Sequence, residues 1–115
     1  MSNMRTIGLT EKVVLYNNTK TKKIVVKAKV DTGATSNSID SKVAAKLKLG
    51  PIIKTTVVKS ANGKSLRPVI KAFVSIAGMP MTGIFTLADR NRMRYKVLIG
   101  QDILKKGKFL IDPKK

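Results

Sequence analysis

The chain has 115 residues, enough for one small core, and 43% of them are hydrophobic while 4% are aromatic. Val, Ile and Leu must therefore fill the interior, and the β-branched members of that set favour strands. There is no cysteine and no histidine, which excludes disulfides, thiolate nucleophiles, Ser-His or Cys-His catalysis and the usual zinc ligand sets. The net charge is +18, from 24 Lys and Arg against 6 Asp and Glu. That raises the question of a polyanion partner, although the lysines read as scattered and few aromatics interleave with them.

In chain order, Met1 to Arg5 lacks the apolar core of a signal peptide. No apolar run approaches the roughly 20 residues that span a membrane, so a cytoplasmic protein without a membrane partner is expected. Glu11 to Tyr16 reads as a first strand, Asn17-Asn18 as a turn, and Thr21 to Val30 as a second strand with Ile24, Val26, Ala28 and Val30 on one face. Asp31-Thr32-Gly33-Ala34 breaks that hairpin, and Thr35 to Ser38 reads as polar loop. Ser41 to Leu49 is the one short helix expected, capped by Ser41 or Asp40 and stopped by Gly50-Pro51. Thr55 to Lys59 and Arg67 to Ile76 are strand-like and flank Asn62-Gly63, a strong hairpin signal. A turn at Ala77 to Pro80, a strand from Met81 to Leu87, a basic loop from Asp89 to Arg94 and an apolar stretch from Lys96 to Leu104 follow. Phe109-Leu110-Ile111 precedes a charged tail. With no linker or repeat, residues 1–115 read as a single domain, and many short strands joined by Gly and Asn turns suggest a small β-barrel.

Only six carboxylate side chains exist: Glu11, Asp31, Asp40, Asp89, Asp102 and Asp112. Asp31 follows a hydrophobic strand, Gly33 permits a tight turn, and Thr32 offers a hydroxyl for backbone partners. Peptide hydrolysis by carboxylates uses one ionised group to activate water and one protonated group to polarise the carbonyl. The chain holds one such triplet, so a carboxylate pair requires two copies related by a two-fold axis. The pair then titrates as a unit, which predicts an acidic optimum. Asp40 reads as a helix cap, Asp89 as a loop ion-pair member beside its arginines, and Met79, Met81 and Met93 as packing residues.

Farther along lies Leu98-Ile99-Gly100-Gln101-Asp102-Ile103-Leu104. With the Asp31 turn and the intervening Gly-containing hairpin, this order resembles the retropepsins, single-domain homodimeric aspartic proteases. The segments 27–34, 67–70, 86–95, 98–104 and 109–113 are similar above all to the retropepsin-like family often labelled ATP-dependent zinc proteases. The resemblance covers nearly the whole chain from about Glu11. It implies an all-β fold, a small closed barrel of the retropepsin (acid protease) type with one short helix and a flap hairpin. It also implies that Asp31 is the catalytic aspartate, that Thr32 hydrogen-bonds across a dimer, and that Gly33 brings backbone near substrate. Ala34 would line the site, and Asn62 and Gly63 would sit at the tip of a flap spanning Thr55 to Val74. Gly100, Gln101 and Asp102 would be structural near the site. The family pattern has Arg where Gln101 stands and an acid where Thr35 stands, so a neutral hydrogen bond is expected to replace that ion pair. The segments Arg5 to Leu9 and Phe109 to Ile111 would form the dimer interface. The zinc label finds no His or Cys here, and no Gly-rich Lys-Ser/Thr phosphate loop supports ATP hydrolysis.

The expected function is therefore that of an aspartic endopeptidase. Water would be activated between two Asp31 carboxyls of a homodimer, with no metal and no cofactor. The partner would be a peptide or protein substrate, and the basic surface points to acidic ones. The alternative is a catalytically silent module of the same fold whose basic surface serves nucleic acid or an acidic protein; nucleic acid is kept as a partner but not favoured.

Overall fold

The computed structural model describes residues 4–60 and 63–115. A first hairpin joins β2 (Thr10–Tyr16) to β3 (Lys23–Val30), after the short β1 (Thr6–Ile7). Alternation sets its facing. Val13 and Leu15 on β2 and Ala28 and Val30 on β3 are buried, while Lys27 and Lys29 are exposed. The register pairs Val13 with Val26 and Leu15 with Ile24, and the Asn17 side chain closes the turn by accepting from the Lys22 N–H at 3.0 Å.

Asn37 and Ser38, read as polar loop, form β4 (Asn37–Asp40) together with Ile39 and Asp40, and all four residues are buried. A hydrophilic run becomes a strand because it is inserted between β8 (Val97–Ile99) and β7 (Met79–Ala88), which supply hydrogen bonds on both edges. Helix α1 is shorter than the sequence suggests, Ser41–Lys46. Asp40 occupies its N-cap position without a side-chain capping bond, because its carboxylate accepts from the Arg90 N–H at 2.8 Å.

The flap-like pair is β5 (Lys54–Ser60) and the long β6 (Gly63–Ile76). One half of β6 pairs with β5, the other half with β2, and Val69 to Ile76 also pairs with β7. The resulting order β2-β3-β8-β4-β7-β6 closes through the β2–β6 pairing into a six-stranded barrel, with β5 hanging from β6. Buried Ile70, Ala72, Val74 and Ile76 recur at every second position of β6 and meet Phe85, Leu15 and Ile39 in the core.

A second helix, α2 (Gln101–Gly107), joins the one the sequence announces. Val97 and Ile99 alternate as a strand, then Ile103, Leu104 and Gly107 bury one face at helical spacing. Asp102 in its first turn and Lys105 and Lys106 in its last complement the helix dipole. The chain ends in β9 (Leu110–Ile111), which runs parallel to β1. The two terminal segments expected at a dimer interface thus pair with each other within the chain. Ile7 is fully buried there, and Met4, Leu9 and Leu110 are exposed. Met93, expected to pack, is exposed as well. Among the described residues no helix is long and apolar enough to cross a membrane.

Candidate active site

Strand β3 delivers Asp31 to the end of the barrel, where its N–H donates to the Ile99 carbonyl at 2.9 Å. The chain then turns at once: the Gly33 N–H donates to Asp31 Oδ1 at 2.9 Å, and the Ala34 N–H to the Asp31 carbonyl at 3.3 Å. One carboxylate oxygen is thereby held by its own turn, and the side chain stays half-buried.

The turn rests on the start of α2. The Gln101 N–H donates to the Ala34 carbonyl at 2.8 Å and the Asp102 N–H to the Thr35 carbonyl at 3.2 Å. The Gln101 side-chain amide donates to the Thr32 carbonyl at 2.8 Å, so its partner is the Thr32 backbone rather than Thr35. Thr32 itself is exposed. Gly100 fits because nothing larger does: a Cβ there would meet the Ser36 carbonyl and would lie 2.8 Å from the Ala34 carbonyl oxygen.

Beneath this contact sits Asn37, fully buried. Its Nδ2 donates to Asp102 Oδ2 and to the Ile84 carbonyl, each at 2.8 Å. Its Oδ1 accepts from the Gly100 N–H at 2.8 Å. Asp102 Oδ2 also accepts from the Ile84 N–H at 3.0 Å, and Oδ1 pairs with Lys106 at 3.1 Å. Every polar atom of the Asn37 amide is used, as burial demands. Sequence reading missed Asn37, since nothing sets it apart from the Thr-Ser-Asn-Ser run around it. Asp31, Thr32, Gly33, Ala34, Gly100, Gln101 and Asp102 are brought into this one network.

Asp31 opens on a cavity of about 460 Å³ between its turn and the β5–β6 hairpin. Gly33, Ala34 and Ser38 line it, with Thr56 and Val58 of β5 and Arg67 of β6. The hairpin tip expected at Asn62 lies outside the described residues; Gly63 opens β6 and does not line the cavity. Lys59, Arg67 and Arg90 make the wall cationic, and Asp31 is the one acid among the described lining residues. Arg90 is 8% exposed. Its Nε donates to the Tyr95 carbonyl at 3.0 Å, and its N–H is held by Asp40. Burial holds its guanidinium below the usual arginine range; the Arg67 charge adds to this, and Asp40 opposes it. The buried Ser38 hydroxyl, also in this wall, makes no hydrogen bond among the described residues. Asp89 accepts from the Asn91 N–H at 3.1 Å, forming an Asx turn, and pairs with no arginine among the described residues. Among the described residues no three carboxylate, imidazole or thiol groups gather that could hold a metal ion; the donor set does not fit zinc.

Residues 39–115 match the family model of the RimB-like proteins, described as retropepsin-like aspartic endopeptidase RimB. The chain belongs to the RimB-like family. The match begins at Ile39, so the geometry of the Asp31 turn is independent of it. This RimB-like chain is similar in structure to EIAV protease complexed with the inhibitor HBY-793, with a TM-score of 0.69 and 19% identity, over 90% of both chains. It is also similar to protein Lpg0085 (DUF785), of unknown function, from Legionella pneumophila subsp. pneumophila str. Philadelphia 1. There the TM-score is 0.68 and the identity 22%, over 99% of this chain and 96% of that one. These likenesses establish the retropepsin-like fold. No curated protein gives a significant sequence match.

Proposed function

We propose that this chain is an aspartic endopeptidase that acts as a homodimer, with one Asp31 carboxyl from each copy. The observation that carries the reading is Asp31 itself. It stands at a strand end, one oxygen is fixed by the Gly33 N–H at 2.9 Å, and it opens on a cleft roofed by the β5–β6 hairpin. A water between two such carboxyls loses a proton to the ionised one as it attacks the amide carbon. The protonated carboxyl donates to the carbonyl oxygen, and collapse of the tetrahedral intermediate expels the amine with a proton. The dyad requires a shared proton, so activity falls toward alkaline pH.

The dimer reading is supported by the β1–β9 ribbon, whose strands pair only with each other among the described residues, and by exposed Met4, Leu9 and Leu110 beside it. Substrate binding is supported by the inhibitor complex of the retropepsin-fold relative. The cationic wall favours peptides with acidic side chains, because a carboxylate entering the cleft meets a lining that carries Lys59, Arg67 and Arg90.

The test is a peptide library incubated with wild type and Asp31→Asn from about pH 3 to 8, read by mass spectrometry. Cleavage by wild type alone is expected. Equal cleavage by both proteins removes the reading.

A further inference from the structure

We propose that the outer face of the β2–β3–β6 sheet binds single-stranded nucleic acid. The lysines that read as scattered along the chain are gathered here by the period-two facing of strands. Lys12, Val14 and Tyr16 of β2 lie opposite Lys27, Val25 and Lys23 of β3. Tyr16 lies in turn opposite Phe73 of β6. Two aromatic rings therefore sit side by side in a field of cations.

The relief of this face suits bases. Tyr16 and Phe73 line one recess of about 360 Å³, with Lys20 at its edge. Phe73 also lines a second recess of about 490 Å³, with Lys71 and Pro51. The ring is the ridge between them, and the Lys20 ammonium stands 4.5 Å from its centroid. Neither recess shares a residue with the Asp31 cavity.

The electrostatics are one-sided. Strands β3, β5, β6 and β7 contain no acidic residue. The one carboxylate on β2, Glu11, is turned away to accept from the Gly8 N–H at 3.1 Å. Lys12 and Lys27 stand directly across from each other, an arrangement that costs stability in the absence of an anion. Val25, between Lys23 and Lys27 on the same face of β3, is 60% exposed. A polyanion relieves the repulsion, and stacking uses the rings. An unpaired strand offers phosphates and open base faces together. A duplex hides its bases, and a run of acidic side chains supplies charge but no planar faces to stack on the rings.

The experiment is fluorescence anisotropy with a labelled oligouridine of about 20 nucleotides across a salt series. Wild type binds it. Tyr16→Leu/Phe73→Leu keeps the net charge and apolar volume but removes the ring faces, and weakens binding about tenfold or more. Lys12→Gln/Lys27→Gln lowers the log–log salt slope by about 1.4. Lys42→Gln/Lys46→Gln removes the same charge from α1, which packs on β4 and β7 and lines neither recess, and changes affinity less than about threefold. A polyglutamate of equal charge competes at least about tenfold more weakly than unlabelled oligouridine. Unchanged binding by the ring variant, or equal losses from the two lysine pairs, means unspecific polyanion attraction and overturns the proposal. Equal competition by polyglutamate overturns it in favour of an acidic peptide partner.

Discussion

The Asn37 amide donates to Asp102 Oδ2 at 2.8 Å across 65 residues of sequence. This bond ties β4 to the first turn of α2, directly beneath the turn that holds Asp31. The same carboxylate oxygen also accepts from the Ile84 N–H, so it holds three parts of the barrel at once. Asp102→Ala leaves both donors without that oxygen, and a buried unsatisfied donor costs about 1–3 kcal/mol. The expected loss is about 2–4 kcal/mol, read from urea unfolding. Asp102→Asn keeps one acceptor oxygen and loses less. Equal stability of all three proteins would falsify this account of the network.

Gly100 and Gly78 are both glycines at bends, but they are constrained differently. At Gly78 the backbone angle φ is +77° and a Cβ meets nothing, so Gly78→Ala costs only the left-handed conformation, about 1–2 kcal/mol. At Gly100 a Cβ runs into the Ser36 and Ala34 carbonyls, which are themselves fixed in the network. Gly100→Ala is therefore the costlier change by at least about 2 kcal/mol, and it lowers activity with stability. Thermal melts of the two variants give the order; the reverse order removes the packing argument.

Arg67 lines the cleft from β6, opposite Thr56 of β5. Arg67→Gln keeps the length and polarity of the side chain and removes its charge. If the cleft takes acidic side chains, kcat/KM falls about tenfold on a glutamate-containing peptide, the size of one lost charge-assisted hydrogen bond. On the matched glutamine peptide it changes less than about twofold. A uniform loss on both peptides would assign Arg67 to hairpin structure instead.

The buried Arg90 guanidinium gives a statement about pH. Its folded affinity for the proton is lowered, first by burial and then by Arg67, so the unfolded chain keeps that proton to higher pH. The penalty on the charged form is thus complete at every pH below the folded value and is relieved only in the alkaline arginine range. Arg90→Gln should shift stability by the same amount at about pH 5 and pH 9, within about 0.5 kcal/mol. Denaturant titrations at the two pH values measure this, and a larger difference would reveal a second titrating group coupled to Arg90.

The sequence by itself determined the barrel and the turn. Alternating Val, Ile and Leu on β2, β3 and β6 bury one face whatever their partners, and Asp31-Thr32-Gly33 is a local structure whose first hydrogen bonds close within three residues. The distant Gly100-Gln101-Asp102 motif was legible for the same reason, as a glycine between an apolar strand and an apolar helix face. Tertiary structure alone decided what polar residues do. Asn37 and Ser38 sit in a run that reads as loop, and with Ile39 and Asp40 they became a buried strand because β7 and β8 flank it. Asp40 left its helix for the Arg90 N–H, and Gln101 chose the Thr32 carbonyl over Thr35. Sequence periodicity encodes how much of a residue is buried. It does not encode which donor and acceptor meet across the barrel, because that depends on the closure of strands distant in sequence. The gathering of lysines around Tyr16 and Phe73 belongs to the same category: each lysine is local, but their common face exists only once β2 pairs with β3 and β6 together.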